Sequence, residues 1–434
     1  MASLKRQALV LTLANAYTRA LGFVLRMVSA RLMGAEAMGV MELSSSAVML
    51  AITPVTSGVP TAMSRLTAQR NADTTAVLRS GLSLVKRLSL LLTPAMLLLS
   101  PGIAWVLGDL RTLPAILMGL PLILLLGLCT VYSGWCYGRN DMDTPALSEC
   151  AEQTVRCVLT ILLLLRFAQR DVALTAALPG VAEIAAGLCV WMLFRRQTPR
   201  MGHLAPDPGI RRELFRLTAP TTAARLCQTV LRALNAVLLP ACLRRSGLSQ
   251  AAATAQFGLL SGMAMPLLML PGIVTGAICM VATPAVSRQE GQHTRLRRTM
   301  RQLLLSAWGV GSVVAIGLFL GADFISSCLY REAALAPLLR LMAPAALLMA
   351  LQQVQFGLIT GLGVQQKALT GTVLASLLNL LVTAALCPLP RIRLYGAAVA
   401  SLCGTLMRVI WNACILRSAL KRVTVMPLYV PHLL

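Results

Sequence analysis

The chain has 434 residues, 57% hydrophobic, 12% charged and 4% aromatic, with a mean hydropathy of +0.75 and a formal net charge of +24. Soluble domains carry charge on ~25% of their residues, so this balance excludes a water-soluble globule and points to an all-α, polytopic membrane protein. Most of the positive charge lies in polar connections, where topology accounts for it, and the scarcity of aromatics leaves no stacking platform for bases, so no nucleic acid partner is expected.

Apolar runs predict twelve transmembrane helices, at about 7–31, 37–62, 84–108, 113–137, 145–166, 172–194, 215–242, 250–282, 301–322, 335–360, 368–388 and 394–416. The first span has no short apolar core followed by a small-residue cleavage site, so it is expected to stay in the membrane rather than be removed. It carries Arg19 and Arg26 inside ALVLTLANAYTRALGFVLRMVSARLM, on one stripe with Asn15 and Gly22. A charge at mid-membrane costs at least ~2.5–3.5 kcal/mol, so that stripe should face water or protein. The seventh span repeats the device with Arg225 and Arg232, again seven apart. A guanidinium stays charged in any environment and forks bidentately onto phosphate. Arg19, Arg26, Arg225, Arg232 and Asn15 are therefore the candidate substrate-binding residues; the plainer alternative is that the arginines reach helix-end carbonyls.

Glu42 in the second span and Glu183 in the sixth are the acids expected within the membrane, either as coupling acids with raised pKa or as partners of cavity arginines. Arg65 and Arg288 end equivalent helices, where a cation suits the helix dipole, with a cytoplasmic gate as the sharper reading. In the fifth span Arg156 shares a stripe with Glu152 and Glu149, the pattern of an internal ion-pair ladder. Asp141-Met-Asp143 has the form of a metal-holding acidic pair, but Pro145 behind it reads better as a helix start. Twelve cysteines stand singly without a CxxC pair, and the three histidines (His203, His293, His432) lie in polar segments, so neither metal nor cofactor is expected.

Lys and Arg concentrate in the even-numbered connections and the two tails, which puts both termini in the cytoplasm. The longest polar connection, RRQTPRMGHLAPDPGIRRE, divides the chain into a six-helix lobe at 1–194, a cytoplasmic linker at 195–213 and a second six-helix lobe at 214–434. The halves read as repeats: PTAMSR at 60–65 aligns with TPAVSR at 283–288, and the segment from Gly138 with that from Gly361, both at an offset of 223. An even number of spans per half makes the repeats parallel, about an axis along the membrane normal.

GAEAMGVMEL, SGVPTAMSRLTAQR, MLPGIVTGAICMVATPAVSR, LQQVQFGLITGLGVQQKAL and LYGAAVASLCGTLMRVIWN resemble the stage V sporulation protein B branch of the polysaccharide exporters, in the multidrug/oligosaccharidyl-lipid/polysaccharide superfamily. The resemblance implies a V-shaped, MATE-like fold in the plasma membrane. It implies translocation of an undecaprenyl-pyrophosphate-linked saccharide, a polysaccharide or peptidoglycan precursor, from inner to outer leaflet by alternating access. The related lipid II flippase pattern places cations at Arg19 and Arg31; Leu25 stands where it has another, with Arg26 one position later, and TPVTSG at 53–58 occupies a place where it has a further cation. The partners expected are the bilayer and an anionic lipid-linked saccharide, with the protein functioning as a monomer and catalysing no reaction. The rival readings are a MATE-type cation or drug antiporter, which wants acids and aromatics in its cavity, and a membrane glycosyltransferase using Asp141.

Overall fold

The computed structural model describes residues 2–69, 73–168, 171–198, 206–287 and 293–425. Among them the regular elements are all helical: α1 (Ala2–Thr56), α2 (Val59–Gln69), α3 (Thr74–Val106), α4 (Leu113–Gly138), α5 (Asp143–Phe167), α6 (Val172–Gln197), α7 (Pro208–Arg245), α8 (Gln250–Gly258), α9 (Met265–Leu268), α10 (Pro271–Ser287), α11 (His293–Leu320), α12 (Ala322–Phe324), α13 (Leu335–Gly361), α14 (Gln365–Leu386) and α15 (Leu394–Val425). A π-helical turn joins α8 to α9 over Leu259–Ala264, and another follows α12 over Ile325–Tyr330.

Ten of the described helices are long and apolar enough to cross a membrane, against the twelve spans expected. Two features account for the difference. The first two expected spans run on as α1, in which Gly34 alone leaves helical geometry, at φ 75° and ψ 173°. That region is open to glycine and costly for a side chain, so the chain turns there without a loop. The fifth expected span, α5, carries Asp143, Glu149, Glu152, Arg156 and Arg166 and falls outside the apolar criterion on composition. The chain is a multi-pass membrane protein.

The described chain forms two compact units, residues 1–263 and 264–434, and the polar connection at 195–213 lies within the first. In that unit α2, α3, α4, α6 and the start of α7 share a core containing Met63, Leu66, Val77, Val85, Val131, Phe194 and Leu214. Tyr132 and Phe194 stack at 5.6 Å between ring centroids, and the Trp135 indole donates to the Thr74 carbonyl at 2.9 Å. Gly134 and Gly138 let α4 press against α2: a methyl on Gly134 would sit 2.6 Å from the Pro60 carbonyl, and one on Gly138 2.7 Å from that of Ser64. Lipid tails are as apolar as leucine, so such close approach, rather than exclusion of water, holds membrane helices together.

The second unit uses the same device. Its core gathers Val286, Met300, Val354, Leu358, Ile359 and Leu416. Gly357 and Gly361 on α13 meet Cys279 and Thr283 on α10. These glycines stand 223 positions after Gly134 and Gly138, the offset of the sequence repeat, so the two units repeat a packing contact as well as a pattern. The Asp141 carboxylate accepts the Thr144 amide at 3.1 Å, the work of a helix cap at the start of α5.

Candidate functional site

All four candidate arginines belong to the first unit, on α1 and α7. The turn at Gly34 divides α1 into two limbs. Arg26 and Glu42 each lie eight residues from that glycine, one on each limb, so a sharp fold-back sets them opposite one another. They form an ion pair, Arg26 Nη2 to Glu42 Oε1, with 37% of the arginine and 19% of the glutamate side chain exposed. The same Nη2 lies 3.5 Å from the Ser261 carbonyl in the π-helical turn. Pro266, five residues on, has no N–H to give that carbonyl its π-helical bond, so the oxygen is left for a side chain. Arg19 is exposed on the same limb. Asn15 donates to the Leu11 carbonyl at 2.9 Å, within its own helix.

The far end of the second limb seats α7. Thr53 and Thr229 share a hydrogen bond between hydroxyls at 3.2 Å, and the Thr222 hydroxyl donates to the Ser57 carbonyl at 2.6 Å. Thr222, Arg225, Thr229 and Arg232 fall at helical spacings of three and four, so the arginines stand along this threonine seam. Both are exposed, and among the described residues neither enters an ion pair. TPVTSG at 53–58, where the flippase pattern has a cation, is thus the seat of the helix that brings two.

A second polar cluster gathers near the Gly34 turn. Arg111 donates to both oxygens of Asp109, at 3.0 and 2.8 Å, and to Glu36 at 2.5 Å, while the Thr254 hydroxyl donates to Asp109 at 3.2 Å. The cluster ties the second limb of α1, the α3–α4 connection and α8 together. Burial alone would raise the Asp109 carboxyl, but the bonds and charge of Arg111 and the Thr254 hydroxyl outweigh it and hold the group below its ordinary value. Beside it the helices nearly touch: a methyl on Gly39 would sit 2.0 Å from the Thr254 carbonyl, and one on Gly258 1.9 Å from that of Ala35. Sequence reasoning missed this cluster; its signal was Glu36 in GAEAMG, an acid held between small residues.

Glu183 pairs with Arg156 at 3.5 Å, and Arg156 also bonds the Gln153 carboxamide. The ladder to Glu149 and Glu152 expected along α5 gives way to these contacts, since Arg156 reaches across to α6. Arg65 is exposed on α2, and Arg288 lies outside the described residues. Among the described residues no group of three or more His, Cys, Asp or Glu side chains is placed to hold a metal ion.

The family model for polysaccharide biosynthesis proteins matches residues 4–290. Stage V sporulation protein B of Bacillus subtilis (strain 168) is 29% identical over 427 residues, covering 93% of this chain and 82% of that protein. Among solved structures, an inward-facing multidrug resistance MATE family transporter of the MOP superfamily superposes with a TM-score of 0.77 at 15% identity, covering 96% of this chain and 99% of the other. The lipid II flippase MurJ, in its inward closed conformation, superposes with a TM-score of 0.76 at 12% identity, covering 96% and 90%. The structural likenesses establish a MATE-like fold.

Proposed function

Since the chain belongs to the polysaccharide biosynthesis protein family, we propose that it is a flippase. In this reading it carries an undecaprenyl-pyrophosphate-linked saccharide from the inner to the outer leaflet of the plasma membrane, with no bond made or broken and so no enzymatic step. The single observation behind it is the pair Arg225 and Arg232: two cations on one face of a membrane helix, exposed and without an ion pair among the described residues. Intramembrane charge is functional by default, and paired guanidinium groups suit the two phosphates of a lipid-linked sugar. Arg19 and Arg26 stand on α1 as further candidate anchors, and the head group crosses while the prenyl tail stays in lipid. The relatives point the same way, one being a lipid II flippase and one a sporulation protein.

The proposal includes two six-helix lobes, 1–194 and 214–434, joined through 195–213, both termini in the cytoplasm, and a functional monomer. Arg65 and Arg288 would stand at the inner gate. The drug-antiporter reading is weaker, because Glu42 and Glu183, the acids a cationic substrate would need, are already paired with Arg26 and Arg156. The test is a fluorescent prenyl-diphosphate-linked saccharide in proteoliposomes. The wild-type chain should move it across the bilayer, and a failure to do so under any imposed potential would reject the reading.

A further inference from the structure

Arg26 and Arg232 present the same group to a membrane interior, yet Arg26 arrives already neutralised by Glu42. Any anion binding at Arg26 must displace that carboxylate and leave it unpaired and largely buried, an arrangement that is strongly destabilising. A phosphodiester lipid head group offers Arg26 one negative charge, no more than Glu42 already supplies. Such an exchange returns nothing for the stranded carboxylate. A pyrophosphate diester carries two charges, and the second reaches for another cation while the first replaces Glu42.

We infer that Glu42 is a specificity-determining residue: an internal competitor for Arg26 that bars the phosphodiester lipids of the surrounding bilayer and yields to a diphosphate. This rests on the anion-carrier reading above. The Ser261 carbonyl, left without its π-helical donor by Pro266, helps hold the Arg26 guanidinium in place beside Glu42. The bilayer presents phosphodiester head groups in vast excess, and Arg26 without such a competitor would take them up.

The experiment places two fluorescent lipids, phosphatidylglycerol and a prenyl-diphosphate-linked N-acetylhexosamine, in the same proteoliposomes and reads their inward-to-outward movement by chemical quenching. The wild-type protein should move the diphosphate lipid and leave phosphatidylglycerol near the protein-free rate. E42Q should raise phosphatidylglycerol movement about tenfold, E42D should give a smaller rise because its shorter side chain weakens the pair, and R26Q/E42Q should return it to the wild-type level. A folded E42Q that moves the diphosphate lipid without gaining phosphatidylglycerol overturns the inference and leaves the flippase reading intact. Wild-type protein that moves neither lipid rejects the flippase reading itself. Should E42Q not fold, titration of the wild type decides: raising phosphatidylglycerol from none to about half of the lipid should leave diphosphate movement unchanged, and strong inhibition contradicts the inference.

Discussion

The two limbs of α1 and the helix α7 meet the problem of arginine in a membrane differently. On α1 the turn at Gly34 returns a glutamate to Arg26, and the charge is cancelled inside the protein. On α7 the seam offers threonine hydroxyls and carbonyls, and among the described residues Arg225 and Arg232 gain no carboxylate, so they keep their charge for something else. Composition does not distinguish these arginines. The fold does, by deciding which one gains a carboxylate.

The sharpest way to break the contrast is to remove charge on each side. Two charge-assisted bonds of ~1.5–3 kcal/mol each lead us to expect that R225Q/R232Q lowers flipping of a prenyl-diphosphate saccharide about hundredfold or more. R26Q should cost about tenfold or less, because that guanidinium is already neutralised. Equal losses from the two changes would erase the distinction. In thermal unfolding the order reverses. E42Q strands Arg26 and should cost ~1–3 kcal/mol, below the usual penalty for a buried pair because both side chains are partly exposed. R225Q/R232Q should leave the melting temperature nearly unchanged.

Smaller effects probe the frame that fixes the pair. Gly39→Ala forces a methyl toward the Thr254 carbonyl and should destabilise the first unit by ~1–3 kcal/mol, seen as a lower midpoint in thermal unfolding. Asp109 gives the smallest effect. Its carboxyl is held below the ordinary value, so its stabilisation is complete above the unfolded pKa of ~3.9 and lost as the pH falls through the lower folded value. On acidification from about pH 7 to about pH 3 the wild type should lose more stability than D109N, which has no charge to lose.

Positions that are costly in lipid were legible in the sequence, and their partners were not. Arg19, Arg26, Arg225 and Arg232 announce themselves because charge is rare inside an apolar run. The Arg26–Glu42 pair depends on the angle between two limbs, which one glycine sets and no periodicity encodes. Arg156 shows the same limit: its helix spacing favoured Glu152, but a neighbouring helix supplied Glu183 at 3.5 Å. The threonine seam was hidden because a threonine within a span also bonds its own preceding turn, as Thr53 does to the Met49 carbonyl, so the residue type does not reveal the second contact. The repeat was readable because its offset of 223 falls on glycines whose small size packing demands in both units.

The water-facing character of the α7 arginines is the most direct test. With the twelve native cysteines replaced, R225C and R232C would be exposed to a membrane-impermeant, charged thiol reagent in proteoliposomes. Both should be labelled readily, and a prenyl diphosphate should slow the labelling. Resistance to the reagent would place these side chains against lipid, reaction at a rate the diphosphate does not alter would place them away from the substrate, and either result would contradict the account.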